Sequence, residues 1–216
     1  MIIVNNGTAD SATTEAVLFP FDDVTVPFTA GLRMNLLAGK SPGVKNPIVL
    51  ENGPAGTPDD ASVRFYGTII PIDGELRMWY MAQGTNDNTN GFEQQFKMCY
   101  ATSTDGINWE RPNLGLVEYN GNKNNNIVKF QKNGKHLGLG ALPIIYEPDD
   151  PDPKRRFKLV FESEFYNNCI AVAFSPDGLT WDIPDYNPVG PMLEQTGLIK
   201  INDCYMVNGQ GGRHFG

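Results

Sequence analysis

The chain has 216 residues, a formal net charge of −8, and 19% charged residues against 40% hydrophobic and 11% aromatic ones. With 23 Gly and 16 Pro, this balance favours many short strands joined by turns over long helices. The acidic charge argues against nucleic acid as a partner, because a duplex-phosphate binder needs a basic face.

The length points first to a single domain. The opening MIIVNNGTADSATTEAV has no basic start followed by an apolar run, and no stretch reads as a transmembrane span, so no membrane partner is expected. Residues 1–60 form an N-terminal segment that holds LFPFDD with Asp22 and Asp23. From 61 to 113 come RFYGTIIPIDG, ELRMWYMAQ, FKMCYAT, the box STDGINWE, and INWERPN. A polar loop, GTNDNTNGFEQQF, carries Asp87 and Phe92 between the second and third of these runs. From 136 to 185 the order repeats: ALPIIYEPDD, RRFKLVFES, NCIAVAF, the box SPDGLTWD, and LTWDIPD. A third unit begins in TGLIKINDCYMVNGQG, where an Asn-Asp turn separates two strands, and runs from 194 to 216.

Asp105 and Asp177 stand 72 residues apart, as do Trp109 and Trp181. Each unit thus holds three strand-like runs, a box and a short fourth run. The Asp-Gly pair predicts a tight turn between strands three and four, since Gly supplies positive φ at little cost. Four-stranded antiparallel sheets repeated at this spacing predict β-propeller blades, with Asp105 and Asp177 as structural residues of outer turns. About two and a half blades are present, so the expectation is a fragment or cleaved chain whose remaining blades come from missing chain or from other subunits. The basic cluster Lys154, Arg155, Arg156 and Lys158, preceded by Asp149, Asp150 and Asp152, reads as a solvated turn entering a strand. Cys99, Cys169 and Cys204 fit no metal motif or disulfide framework; each lies in an apolar strand-like run and is expected to be a buried free thiol.

The stretches RFYGTIIPIDGELRMWYMA, CYATSTDGINWERPNLGLVEYNGNKNNNIV, PDDPDPKRRFKLVF and AFSPDGLTWD resemble the N-terminal half of bacterial proteins related to glycoside hydrolase families 32 and 43. The likeness runs from about Leu18 to the last residue. It implies an all-β, five-bladed β-propeller, incomplete here, that cleaves a glycosidic bond in a poly- or oligosaccharide by carboxylate acid/base chemistry. Two alternatives stand beside it: a non-catalytic carbohydrate-binding propeller and a sialidase-like enzyme. The implied setting is bacterial, periplasmic or extracellular ahead of cytoplasmic.

In the related families three acids stand near the starts of the innermost strands of successive blades. Here MLEQTGLIKINDCYMV places Glu194 at the position of the general acid. Blade one departs from the pattern, with Arg64 where an acid would stand; Arg64 could bind a substrate carboxylate or sulfate through a bidentate fork, or pair with an acid for structural reasons. The nucleophile would then come from Asp22 or Asp23. Blade two shows no acid at the expected place; His136 reads as a loop residue, and Glu162 and Glu164 share one side-chain parity that could face the pocket or solvent, with Glu162 taken as a substrate-binding candidate. Arg213 and His214 lie in the glycine-rich GQGGRHFG and are further binding candidates. Phe92 is the preferred aromatic contact for a sugar; Tyr66 and Tyr166 are available, and Trp79 reads as core. No cofactor is expected, with a structural calcium at Asp87 left open.

Overall fold

The computed structural model describes residues 48–87 and 96–211. Among the described residues ten strands form antiparallel sheets, and the only helices are single 3-10 turns. In the first sheet β1 (Ser62–Ile72) pairs with β2 (Glu75–Gln83), which pairs with β3 (Lys97–Ser103). A small ladder joins β4 (Gln131–Lys132) and β5 (Lys135–His136). The second large sheet holds β6 (Ile144–Tyr146), β7 (Phe157–Glu162) and β8 (Ile170–Ser175) in that order. A hairpin of β9 (Leu193–Ile201) and β10 (Cys204–Gly211) follows. The architecture is all-β and propeller-like, each sheet packing against the next.

The hairpin turns follow local chemistry. Asp73-Gly74 and Asn133-Gly134 each put two residues in the left-handed region, the type I′ pattern that matches strand twist. Asn202-Asp203 closes β9–β10, with Asn202 at φ 55°.

The boxes differ from the tight turn expected. Each spans a wider loop, and its conformation is held by its own side chains. Ser103 Oγ accepts from the backbone of Asp105 and Gly106 at 3.2 and 2.9 Å. Asp105 Oδ1 accepts from the backbone of Ile107 and Asn108 at 2.8 and 2.7 Å. Trp109 Nε1 donates to Gly106 O at 3.1 Å. Ser175, Asp177, Gly178 and Trp181 repeat the same set at 2.8–3.3 Å. Side chains that accept from the following backbone stabilise such loops without a ladder. Asp105 and Asp177 are thus spent on their own loops.

The fourth run is also shorter than expected. It meets the third strand at one bridge per sheet, Thr102 with Glu110 and Phe174 with Asp182. Two residues further on stand Pro112 and Pro184, which have no N–H to continue the ladder.

The main core lies between the first two large sheets. On β2, Trp79 and Met81 enter that core, while Met78, Tyr80 and Ala82 enter a second cluster with Cys99 and Ile127. β2 is therefore buried on both faces, which is why ELRMWYMAQ lacks polar alternation. Trp79 contacts the rings of Tyr100 and Phe157, and its Nε1 donates to Gly178 O at 2.7 Å. Gly178 O thus receives the indoles of Trp79 and Trp181, one from each sheet. Residues 127–130 knit the two together as well: Val128 N donates to Met98 O, and Trp181 N to Lys129 O.

β7 alternates in the same manner. Phe157, Leu159 and Phe161 belong to the core, leaving Lys158, Val160 and Glu162 on the face toward β9. Lys158 is buried rather than solvated, in contrast to the exposed Lys154, Arg155 and Arg156. Its ammonium meets Glu147 and Asp150 at 2.6 and 2.5 Å. Glu147 in turn takes Lys200 of β9 at 2.5 Å and the Tyr205 hydroxyl of β10 at 2.6 Å. This clamp docks the hairpin on the second sheet. Burial alone would raise the Glu147 carboxyl, but hydrogen bonds from Lys158, Lys200 and Tyr205 outweigh it and lower it to about 2. A depressed carboxyl contributes stability above its ordinary value and loses it as pH falls toward the folded value. Hydrogen exchange in β9–β10 should therefore accelerate selectively between about pH 4.5 and 2. The Glu147→Gln variant should exchange fast at neutral pH and show no such step; an acid step retained in that variant would assign it elsewhere.

The three thiols do not share one state. Cys99 is buried, Cys169 half-buried and Cys204 exposed. Cys204 sits opposite Ile201 beside the Asn202-Asp203 turn, on a face with Ile199 and Met206 that the described residues leave open.

Candidate functional site

Three segments far apart in sequence meet at one open cavity of about 470 Å³. Phe65–Thr68 of β1, Gly140, Ala141, Pro143 and Ile144 leading into β6, and Glu194–Leu198 of β9 line it. They are the leading segments of the three successive sheets. Backbone and side-chain bonds fix their spacing. Leu142 N donates to Tyr66 O at 2.7 Å, Thr68 Oγ1 to Leu142 O at 2.6 Å, and Ile144 N to Thr68 Oγ1 at 3.0 Å. Gln195 Nε2 reaches Ala141 O at 3.4 Å.

Two irregular strands shape the cavity. On β1, Arg64 stands opposite Met81 and Thr68 opposite Trp79, so Phe65, Tyr66 and Gly67 together face Tyr80. This bulge turns Phe65 and Tyr66 outward, 57% and 63% exposed, and frees the Tyr66 carbonyl for the next sheet. Gly67 is required there: a Cβ would lie 1.9 Å from Trp79 O. On β9 the pairing shifts between Gln195 opposite Gly209 and Gly197 opposite Asn208, leaving Thr196 as the extra residue. Gly209 lets the strands approach, since a Cβ there would meet Glu194 O at 2.2 Å.

Glu194 lies half-buried on the cavity wall, followed by Gln195, 1% exposed. Gln195 Oε1 is buried and has no hydrogen-bond partner. Glu162, 8% exposed, stands behind the wall: a methyl group on Gly140 would come within 2.8 Å of its Oε1. The cavity thus combines two outward aromatic rings at its mouth, a carboxylate on its wall, a second carboxylate behind Gly140 and a buried acceptor without a donor. Apolar and aromatic linings with a few converging polar groups are the usual make-up of small-ligand sites.

The other expected residues fall elsewhere. Arg64 does not line the cavity; its guanidinium lies 4.5 Å from the centre of the Phe96 ring. Glu162 and Glu164 do not share a face, because β7 ends at Glu162 and Ser163 caps a 3-10 turn on which Glu164 is exposed. Tyr166 is buried against Phe161, and Trp79 is core, 0% exposed. The ring nitrogens of His136 are buried, and burial with the nearby Lys97 ammonium lowers the imidazole to about 4. Asp87 pairs with Lys97 and accepts from Gly84 N at 2.7 Å. Asp22, Asp23, Phe92, Arg213 and His214 lie outside the described residues.

Sequence reasoning missed Gln195, Phe65 and Thr68. The Gln-Thr-Gly of LEQTGLIKI marks the bulge, since a small flexible residue beside polar ones interrupts a strand, but carries no sign that Gln195 Oε1 is buried without a donor.

No family model and no curated protein matches the chain. Among solved structures it is similar to a glycosyl hydrolase from Bacteroides ovatus, at 20% identity over 60% of this chain and 32% of that one, with a TM-score of 0.38. It is also similar to a candidate glycoside hydrolase from Parabacteroides distasonis, at 18% identity over 78% of this chain and 50% of that one, with a TM-score of 0.47. The chain spans about a third to a half of the length of these two proteins.

Proposed function

We propose that this chain is part of a five-bladed β-propeller that hydrolyses a glycosidic bond in a poly- or oligosaccharide, with Glu194 as the general acid. The observation that carries the reading is the placement of Glu194 on a cavity walled by the leading strands of three successive sheets. In this reading Glu194 protonates the leaving oxygen, and a second carboxylate attacks the anomeric carbon or activates water. The separation of the two, about 5 to 9.5 Å, sets the stereochemical outcome. The sequence candidates for that second group are Asp22 and Asp23, and Phe65 and Tyr66 stack on the apolar faces of sugar rings at the mouth. Phe92, Arg213 and His214 are the further sugar-binding candidates from the sequence. The reaction calls for no redox cofactor and suits a periplasmic or extracellular protein. Further sheets, from the same polypeptide or from other subunits, pack on the open face of Ile199, Ile201 and Met206.

A second reading, a carbohydrate-binding propeller without catalysis, draws on one observation: among the described residues Glu194 is the only acid on the cavity wall. Incubation with a panel of plant, algal and microbial polysaccharides separates the two readings. Hydrolysis predicts new reducing ends that accumulate in proportion to protein. Saturable binding with no new ends on every polysaccharide bound would favour the second reading.

A further inference from the structure

A second cleft lies across the second large sheet from the cavity. The cavity is lined by Ile144 of β6, at one edge of that sheet. The cleft, of about 760 Å³, is lined by Phe174 of β8, at the other edge, and by the short run that follows it. The two share no lining residue. Lys129, Lys154 and Arg155 bring three exposed cations to the cleft. Among the described residues no carboxylate stands within ion-pair distance of these three, whereas nearby Lys132 pairs with Asp185, and Lys158 with Glu147 and Asp150. The Arg155 guanidinium lies 4.0 Å from the centre of the Phe174 ring. Stacking of this kind fixes the plane of the fork and leaves its N–H edge to an anion. Two carboxylates, Asp152 and Asp182, line the same cleft.

Tyr186 completes the wall, 62% exposed. Leu114, its counterpart at the repeat spacing of 72 residues, packs instead against the main core. The segment that carries Tyr186 is pinned to the edge of β8 by a side chain acting as backbone. Asn187 Oδ1 accepts from Val172 N at 2.9 Å, and its Nδ2 donates to Val172 O at 2.8 Å. A large ring held in solvent on a fixed segment gains on contact with a ligand that has an apolar face.

We propose that this cleft is a second sugar site, which holds a uronate unit of the polysaccharide. Arg155 and the two lysines take the carboxylate, Asp152 and Asp182 accept from the hydroxyls, and Tyr186 stacks on the C–H face of the ring. The proposal rests on the carbohydrate reading above and adds a class of substrate and a holding site apart from the point of cleavage. The mixed charge is what selects this ligand. A bare inorganic anion is repelled by the two carboxylates and offers Tyr186 no face, and a neutral sugar leaves three cations without a partner. A chain held at the cleft also raises the effective concentration of its other units at the cavity.

The probe is a short oligogalacturonate, with its carboxyl-reduced neutral form as control, titrated calorimetrically into the full chain at pH 7 and low salt. The acidic form is expected to bind about tenfold tighter, and added salt should narrow the gap by screening exposed charges. Arg155→Gln should remove most of that gap, and Tyr186→Ala should weaken both forms about tenfold. Both positions are exposed, so the thermal midpoints should stay at that of the parent. Equal affinity for the two forms would overturn the proposal, as would displacement of the oligogalacturonate by inorganic phosphate at equal concentration. Binding that responds to Tyr66→Ala at the mouth of the cavity, and to neither Arg155→Gln nor Tyr186→Ala, would overturn it while leaving the cavity as the sugar site. Absence of binding would overturn the second site alone, because release of new reducing ends from the polysaccharide panel decides the reading of the cavity separately.

Discussion

Glu194→Gln is expected to lower kcat on a natural polysaccharide by about 10²- to 10⁴-fold, with KM and thermal stability nearly unchanged. Positioned general acids contribute on this scale, and an amide cannot deliver a proton. The loss should shrink for aryl glycosides whose leaving group departs without protonation. That difference separates an acid from a residue that merely binds, since removing uniform binding raises KM and spares kcat. Gln keeps the size and shape of Glu at a position that pairs with Gln210 through its backbone and lines the cavity.

Trp79→Ala is expected to cost about 3–5 kcal/mol, read as a fall in the urea midpoint without a change in slope. The side chain is fully buried in the core between the first two large sheets and joins them through Gly178 O. Trp79→Phe should cost much less, because most of the apolar burial remains and the loss is centred on one hydrogen bond, about 1 kcal/mol. The two boxes provide an internal control. Gly106 and Gly178 hold the same left-handed conformation, φ 74° and 75°. A Cβ on Gly106 would meet only Leu76 Cδ1, at 3.3 Å, whereas one on Gly178 would press the Trp79 ring at 2.5 Å. Gly178→Ala should therefore destabilise distinctly more than Gly106→Ala. Equal costs would show that backbone conformation alone governs both sites, contrary to the packing described here.

The parts of this fold that were legible in the sequence are those dictated locally. Asp73-Gly74 and Asn202-Asp203 mark hairpins because few other residues tolerate their backbone angles. The spacing of the boxes exposes the repeat because each box is closed on itself: its Ser, Asp and Trp bond within the same loop. The cavity was less legible. Gly67 and Gly209 are ordinary glycines in the sequence, and their need appears only when a neighbouring strand's carbonyl stands where a Cβ would go. Burial of Lys158 depends on Glu147 and on β9, which no local pattern brings together. Parity placed Glu162 and Glu164 on one face, but a Ser163 cap ends the strand between them, and Ser at a cap competes well with a ladder. Glu194 was readable as a candidate because the resemblance supplied its position; Gln195 beside it was not, since its isolation is a property of the folded cavity.

A crystal structure of the protein with a bound neutral oligosaccharide tests the central claim most directly. A sugar ring is expected in the cavity between β1 and β9, stacked on Tyr66 or Phe65, with Glu194 within hydrogen-bonding distance of a glycosidic oxygen. A sugar seated away from Glu194, for instance in the outer cleft beside Arg155 and Tyr186, with the β1–β9 cavity holding only solvent, would contradict it.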